Sequence, residues 1–235
     1  MKLFENIETI FVDLDDTIWD FTANSKVTMK EVFHRHSLQE QCAYEKFIEC
    51  YLEHNSELWK LYHHGKIEKQ FLVCERFRVS FEECGIKYEN EDFPKMFNED
   101  YLNTIVKCHQ TVEGAKELLA YLTETRKVHV LSNGFKNLQY KKLLSGGLEG
   151  YISELVLSDD IDVTKPNKRL FDYALTRVNS KPETTVMIGD DYDADILGAH
   201  NAGWKTIFFN RKDFKPESTV ADLTVEKLLD IKKYL

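Results

Sequence analysis

Ile10-Phe11-Val12-Asp13-Leu14-Asp15-Asp16-Thr17 sets an apolar run directly against three carboxylates. A short apolar run of this kind predicts a buried strand. The acids then crowd its C-terminal end, where like charges oppose one another's ionisation. Such a cluster is stable when a cation or a substrate lies among them, so the stretch predicts a metal and phosphate site. The plainer alternative is a strand followed by an acidic turn, because Asp is a common turn residue. Deciding between them depends on what the rest of the chain brings to the same place.

The 235 residues suffice for one large domain, or for a core with a smaller inserted one. Apolar side chains make up 43% of them, enough to build a core. Lys and Arg number 31 against 40 Asp and Glu, a formal net charge of −9, which argues against a nucleic-acid polymer as the main partner. An anionic small molecule would need a local cation. No segment near Met1 has the apolar centre of a secretory leader, and no apolar run approaches the length of a membrane span. A cytoplasmic protein without a membrane partner is therefore expected. Cys42, Cys50, Cys74, Cys84 and Cys108 are odd in number and contain no Cys-x-x-Cys pair, which fits reduced thiols better than a disulfide frame or a zinc site. All of them fall between residues 42 and 108, a hint that this stretch is a separate unit.

From about Ser25 the texture changes: Gly65 is the only glycine before Gly85, and Glu, Lys, Leu, Phe and Tyr dominate. Segments near 25–36, 41–63, 67–84 and 90–107 read as helices, with apolar residues recurring at helical spacing. Gly65 and Gly85 stand where helix C-caps belong. After Cys108 strands and helices alternate. Helices are expected at 111–125, 136–145, 167–178, 193–202 and 225–234. Strands are expected at 8–14, Val128–Ser132, Glu154–Leu157, Thr185–Gly189 and Thr206–Phe209. Alternation of this kind implies a parallel sheet. The polar clusters Asp13/Asp15, Ser132/Asn133, Lys165 and Asp190/Asp191 fall at or just beyond strand ends, where open α/β sheets bind ligands.

Asp13, at the end of its strand, can act as a nucleophile toward phosphorus. Asp15, two residues on, projects to the same side and can protonate the leaving oxygen, then activate water. Asp190, with Asp13 and the carbonyl of Asp15, offers the oxygen ligands that magnesium prefers. Gly189 permits close packing beside it. Asp195 reads as an acceptor behind the metal ligands, orienting Lys165 or a metal-bound water. Asp193 reads as a helix cap, and Asp191 stays open between a ligand, a supporting acceptor and a cap. Thr17 can cap the turn or touch substrate. Lys165, held by Pro166, can stabilise phosphoryl oxygens as a point charge, with Ser132 and Asn133 beside it.

That ordered set resembles the haloacid dehalogenase-like hydrolase superfamily. Asp13-Leu-Asp15-Asp16-Thr17 matches its first motif, Ser132 its second, Lys165 its third and Gly189-Asp190-Asp191 with Asp195 its fourth. The resemblance implies an α/β fold: a Rossmann-like parallel sheet core flanked by helices, at 1–20 and 108–235. An inserted all-helical cap domain at 21–107 would close over the active site. It also implies a strand order unlike that of the dinucleotide-binding type. The dehalogenases of the superfamily lack the second Asp of the first motif, so Asp15 points to phosphoryl transfer, with Mg²⁺ as cofactor and an aspartyl-phosphate intermediate.

Asp15-Asp16-Thr17-Ile18-Trp19-Asp20-Phe21 with Asn24, and the later run Asp195 to Gly203, further resemble bacterial pyrimidine 5′-nucleotidases. That likeness implies a small phosphorylated metabolite as partner, a nucleoside monophosphate favoured. It casts Trp19 or Phe21 as a surface for stacking a base and Asn24 as a hydrogen-bonding group for sugar or base. Sugar-phosphate or phosphoglycolate phosphatase and phosphomutase are the alternative activities, and a non-catalytic regulatory module is the remaining one. A monomer or a homodimer is expected.

Overall fold

The computed structural model describes residues 4–211 and 213–235. The chain divides into two compact units, Met1–Phe21 with His109–Leu235, and Thr22–Cys108. In chain order, β1 is Thr9–Val12, followed by α1 (Phe21–Arg35), α2 (Tyr44–His63), α3 (Lys69–Cys84) and α4 (Phe93–Ile105). Then come α5 (Ala115–Thr123), β2 (Lys127–Ser132), α6 (Lys136–Gly146), β3 (Glu154–Leu157), α7 (Lys168–Val178) and β4 (Thr185–Gly189). A short helix, α8 (Gly198–Asn201), leads to β5 (Lys205–Phe209) and β6 (Leu223–Val225).

Among the described residues the sheet has six strands in the order β3-β2-β1-β4-β5-β6, and every neighbouring pair is parallel. The inner strands β1, β2, β4 and β5 are short, mostly apolar and buried on both faces along nearly all their length, as parallel strands covered by helices must be. Phe11, Leu131, Val156 and Met187 of the sheet pack with Leu170, Phe171, Ala174, Ala199 and Trp204 into one core. The chain lays β2 and β3 outward on one side of β1, then returns to lay β4, β5 and β6 on the other. This order is the one found in dinucleotide-binding folds, so the expectation of a different order is corrected. It puts the switch of direction between β1 and β4. The carboxyl ends of these two strands carry Asp13 and Asp190.

Two further expectations change. No helix spans 225–234. Leu223-Thr224-Val225 pairs with β5 as an edge strand, and Leu228–Lys233 follows as a 3₁₀ turn. Leu228 and Ile231, three residues apart, are its buried positions, which is the 3₁₀ period. The helix expected over 193–202 begins as a wide π-type turn, Tyr192–Leu197, and becomes regular only in α8.

The Thr22–Cys108 unit is held by aromatic packing. Phe47 stacks on Phe81 at 5.7 Å, and Tyr51 on Phe77 at 5.0 Å. Its buried Arg76 donates to Asn55 and Asn98 and lies over the rings of Phe77 and Tyr101. The five cysteines are free thiols. Among the described residues no helix is long and apolar enough to cross a membrane.

Candidate active site

Asp13 directly follows β1 and prolongs its ladder, its N–H donating to Ile188 O at 2.9 Å. Its carboxylate is buried, and Lys165 Nζ donates to Oδ1 at 2.6 Å. The other two hydrogens of that ammonium go to Leu131 O and Asp195 Oδ1, both at 2.7 Å. Lys165 is therefore saturated, and it acts on anything nearby as a fixed charge. Its backbone is locked in turn: Lys165 N donates to Asn133 Oδ1 at 2.7 Å, and Asn133 Nδ2 donates to Lys165 O at 3.0 Å. Burial pushes the Asp13 carboxyl up to about 7, although Lys165 pulls it back down. Asp195 is raised by the same burial against the same opposing lysine. Burial alone would depress Lys165, but the two carboxylates outweigh it and hold the amine charged.

Asp190 follows β4. Thr17 meets it twice, donating from Oγ1 to Asp190 Oδ1 at 3.2 Å and accepting from Asp190 N at 3.1 Å. Asp191, not Asp193, caps the turn that follows: its Oδ1 accepts from Asp193 N at 3.0 Å and Ala194 N at 2.9 Å. The cap must precede the N–H groups it satisfies, and Asp193 lies among them. Asp195 Oδ2 accepts from Asp191 N at 3.2 Å.

Carboxylate oxygens of Asp13, Asp190 and Asp195 all lie within 4.8 Å of one another. Three carboxylates face one ammonium there, so a hard cation fits the donor set and the charge. Asp195 accepts on both of its oxygens, from Lys165 Nζ and from Asp191 N.

Asp15 is turned elsewhere. Lys142 Nζ donates to both of its carboxylate oxygens, at 2.7 and 2.8 Å, and Gln139 Nε2 donates to Oδ2 at 2.9 Å. Gln139 Nε2 also donates to Ser132 Oγ at 2.7 Å, as does Gly134 N at 3.1 Å. Those two donors leave the Ser132 hydroxyl its own hydrogen to give. A Cβ on Gly134 would fall 2.0 Å from Gln139 Nε2, so the glycine after Asn133 makes room for that amide. Asp16 takes a left-handed conformation, φ 62°, in the turn that leaves β1, and Arg211 reaches both its carbonyl and its carboxylate.

The residues expected at the site thus separate. Asp13, Lys165, Asp190 and Asp195 come together, with Asp191 capping the adjoining turn, and Asp15 and Ser132 share Gln139. Thr17 is fully buried and bonded to Asp190, and Asn133 is bonded to the Lys165 backbone. Trp19 is fully buried, and its ring centre lies 5.0 Å from Lys142 Nζ, so it has no open face for a base. Asn24 is buried in α1 of the other unit. Sequence reasoning missed Gln139 and Lys142. Lys136-Asn-Leu-Gln-Tyr-Lys-Lys142 reads as a solvated helix face. The available signal was that Gln139 and Lys142, three apart, share one face of the helix that opens directly behind Ser132.

Comparison with known proteins bears on this arrangement. The model of the haloacid dehalogenase-like hydrolases matches residues 7–203. The pyrimidine 5′-nucleotidase YjjG of Escherichia coli is 32% identical over 228 residues, 96% of each chain. The pyrimidine 5′-nucleotidase PynA of Streptococcus pneumoniae is 30% identical over 203 residues, 86% of this chain and 83% of its own. The crystal structure of the HAD-hydrolase YfnB from Bacillus subtilis, bound to magnesium, superposes with a TM-score of 0.86 at 28% identity, covering 97% of both chains. Through the family match and the likeness to YjjG, together with an acid-ended β1 facing Lys165 and Asp190, the chain belongs to the haloacid dehalogenase-like hydrolases.

Proposed function

We propose that this hydrolase is a magnesium-dependent phosphomonoesterase that passes through an aspartyl-phosphate on Asp13, and that its substrates are nucleoside monophosphates. Asp13 carries the reading. One of its oxygens is tied to Lys165, its burial disfavours a bare charge, and the oxygens of Asp190 and Asp195 lie within 4.8 Å. In the first step Asp13 Oδ2 attacks phosphorus, the bond from phosphorus to the ester oxygen breaks, and that oxygen takes a proton from Asp15. In the second step water attacks the same phosphorus and gives its proton to Asp15. The bond to Asp13 breaks, and inorganic phosphate leaves.

Lys165 acts as the fixed positive charge beside the phosphoryl group, and the Ser132 hydroxyl donates to one of its oxygens. Asp13, Asp190 and the Asp15 carbonyl would hold magnesium. When bound, that ion neutralises the carboxylates and the phosphoryl charge, which lets two anions approach. Asp195 keeps Lys165 in place, and Thr17 keeps Asp190 in place. The preference for nucleotides rests on the likeness to the pyrimidine 5′-nucleotidases YjjG and PynA. It rests also on the stretch from Asp15 to Asn24. Selection of the leaving group is assigned to the Thr22–Cys108 unit, as the family's cap.

The test is phosphate release from a panel of nucleoside monophosphates, sugar phosphates and phosphoglycolate. Uridine and thymidine monophosphates are expected to head the panel. A preference for a sugar phosphate overturns the nucleotide assignment and leaves the phosphatase assignment standing. No release from any member overturns both.

A further inference from the structure

The ammonium of Lys142 bridges the two oxygens of the one carboxylate that the proposed reaction asks to carry a proton. Lys142 is buried, 5% exposed, in a helix whose neighbouring lysines Lys136 and Lys141 are open to solvent. Its Nζ bridges both oxygens of Asp15, at 2.7 and 2.8 Å. Behind the ammonium stand two rings, Trp19 at 5.0 Å and Phe21 at 5.2 Å, both close enough for cation–π attraction. Gln139 completes the enclosure, its one amide nitrogen tying Asp15 Oδ2 to Ser132 Oγ. Asp15 follows β1 on a turn whose next residue is left-handed, and an aspartate side chain can otherwise turn about χ1 and χ2. Two donors from one face of α6 remove that freedom.

We propose that Lys142, seated in the Trp19–Phe21 box, is a positioning residue that aims the Asp15 carboxyl at the ester oxygen and, in the second step, at the attacking water. This rests on the phosphomonoesterase reading above and goes beyond it: Lys142 touches neither phosphorus nor metal and acts only through Asp15. A buried lysine that merely braced the fold would weaken every reaction of the enzyme alike. A lysine that aims a proton donor matters in proportion to how much the leaving group needs that proton. A 5′-alkoxide of a nucleoside needs it, whereas nitrophenolate leaves without it. The ring box explains why a lysine stands here: an ammonium fits between two ring faces and a carboxylate, and a neutral side chain of equal length keeps the packing but loses both attractions.

The experiment uses the whole enzyme with magnesium. It compares kcat/KM for uridine monophosphate and for p-nitrophenyl phosphate in wild type, Lys142→Met and Lys142→Ala. kcat/KM reports the steps through formation of the phosphoenzyme, so the nitrophenyl ester reads the attack of Asp13 alone. Lys142→Met is expected to lower the nucleotide value by about 100-fold or more, the usual size of a lost general acid, and the nitrophenyl value by less than about tenfold. In Lys142→Ala, added methylammonium is expected to restore part of the nucleotide rate and to leave the nitrophenyl rate unchanged. Equal losses on the two esters in a folded Lys142→Met protein overturn the proposal. Should that variant not fold, Lys142→Gln is put to the same comparison with the same two outcomes. A wild-type protein inert toward both esters refutes the phosphatase reading itself, whereas an active wild type with equal losses refutes only the role of Lys142.

Discussion

The carboxylate of Asp195 lies where a side chain on Gly189 would begin: a Cβ there would stand 2.1 Å from Asp195 Oδ2. Strand β4 ends in glycine because the acid that holds Lys165 needs that space. Gly189→Ala is expected to displace Asp195, loosen Lys165 and destabilise the protein by about 1–3 kcal/mol, the usual range for overpacking. Urea unfolding and phosphate release read the two effects. An alanine variant with the wild-type midpoint and the wild-type rate contradicts the role given to this contact.

Lys165 is the counter-charge for two buried carboxylates, Asp13 and Asp195. Lys165→Met leaves both without it. Removing one partner of a buried pair costs about 3–5 kcal/mol, and a loss in this range is expected in metal-free buffer. Turnover should vanish with it. A folded variant as stable as wild type would mean that the two acids are neutral in the native protein.

Burial raises Asp13 from 3.8 to about 7. Between those values the folded protein keeps a proton that the unfolded chain releases. The contribution of this group to stability therefore falls as pH rises from about 4 to about 7 and is level above that. Asp13→Asn does not titrate. In metal-free buffer the stability of Asp13→Asn relative to wild type is expected to grow across this interval. A difference that shrinks with rising pH has the wrong sign and excludes a raised Asp13.

Thr17 touches Asp190 through both its hydroxyl hydrogen and its hydroxyl oxygen. Thr17→Val keeps the shape and removes both bonds. Supporting groups of this kind typically change metal affinity about 10–100-fold, so the magnesium concentration for half-maximal activity should rise by that factor. Chelation should abolish wild-type activity, and added magnesium should restore it. An unchanged requirement in Thr17→Val would detach Asp190 from the metal.

Much of this arrangement is legible in the sequence because strands announce their ends. The apolar runs before Asp13, Ser132 and Asp190 each stop at a polar residue, and a parallel sheet brings such ends to one rim. What each polar group does there is less legible, because a side chain shows its type but not its partner. Thr17 and Asn133 look like ligand contacts and turn out to fasten Asp190 and Lys165. Trp19 looks like a stacking surface and is a wall for Lys142. The cap falls on Asp191 and not on Asp193 because a cap is chosen by the direction of two N–H groups, which composition does not record. Lys142 is invisible for the opposite reason: its neighbours Lys136, Asn137 and Lys141 make it look solvated, and only the helix's closeness to Asp15 buries it. The 3₁₀ turn at Leu228–Lys233 hides in the same way, since a few apolar residues fit a helix of either period.

Rapid acid quenching of the enzyme during turnover of ³²P-labelled p-nitrophenyl phosphate, followed by peptide mapping, tests the covalent step most directly. In Asp15→Asn the nitrophenolate still leaves without a proton while the second step is slowed, so label is expected to accumulate on one peptide, the one that contains Asp13, and to be absent from Asp13→Asn. Wild-type turnover in Asp13→Asn, or label recovered on any other peptide, would contradict Asp13 as the nucleophile.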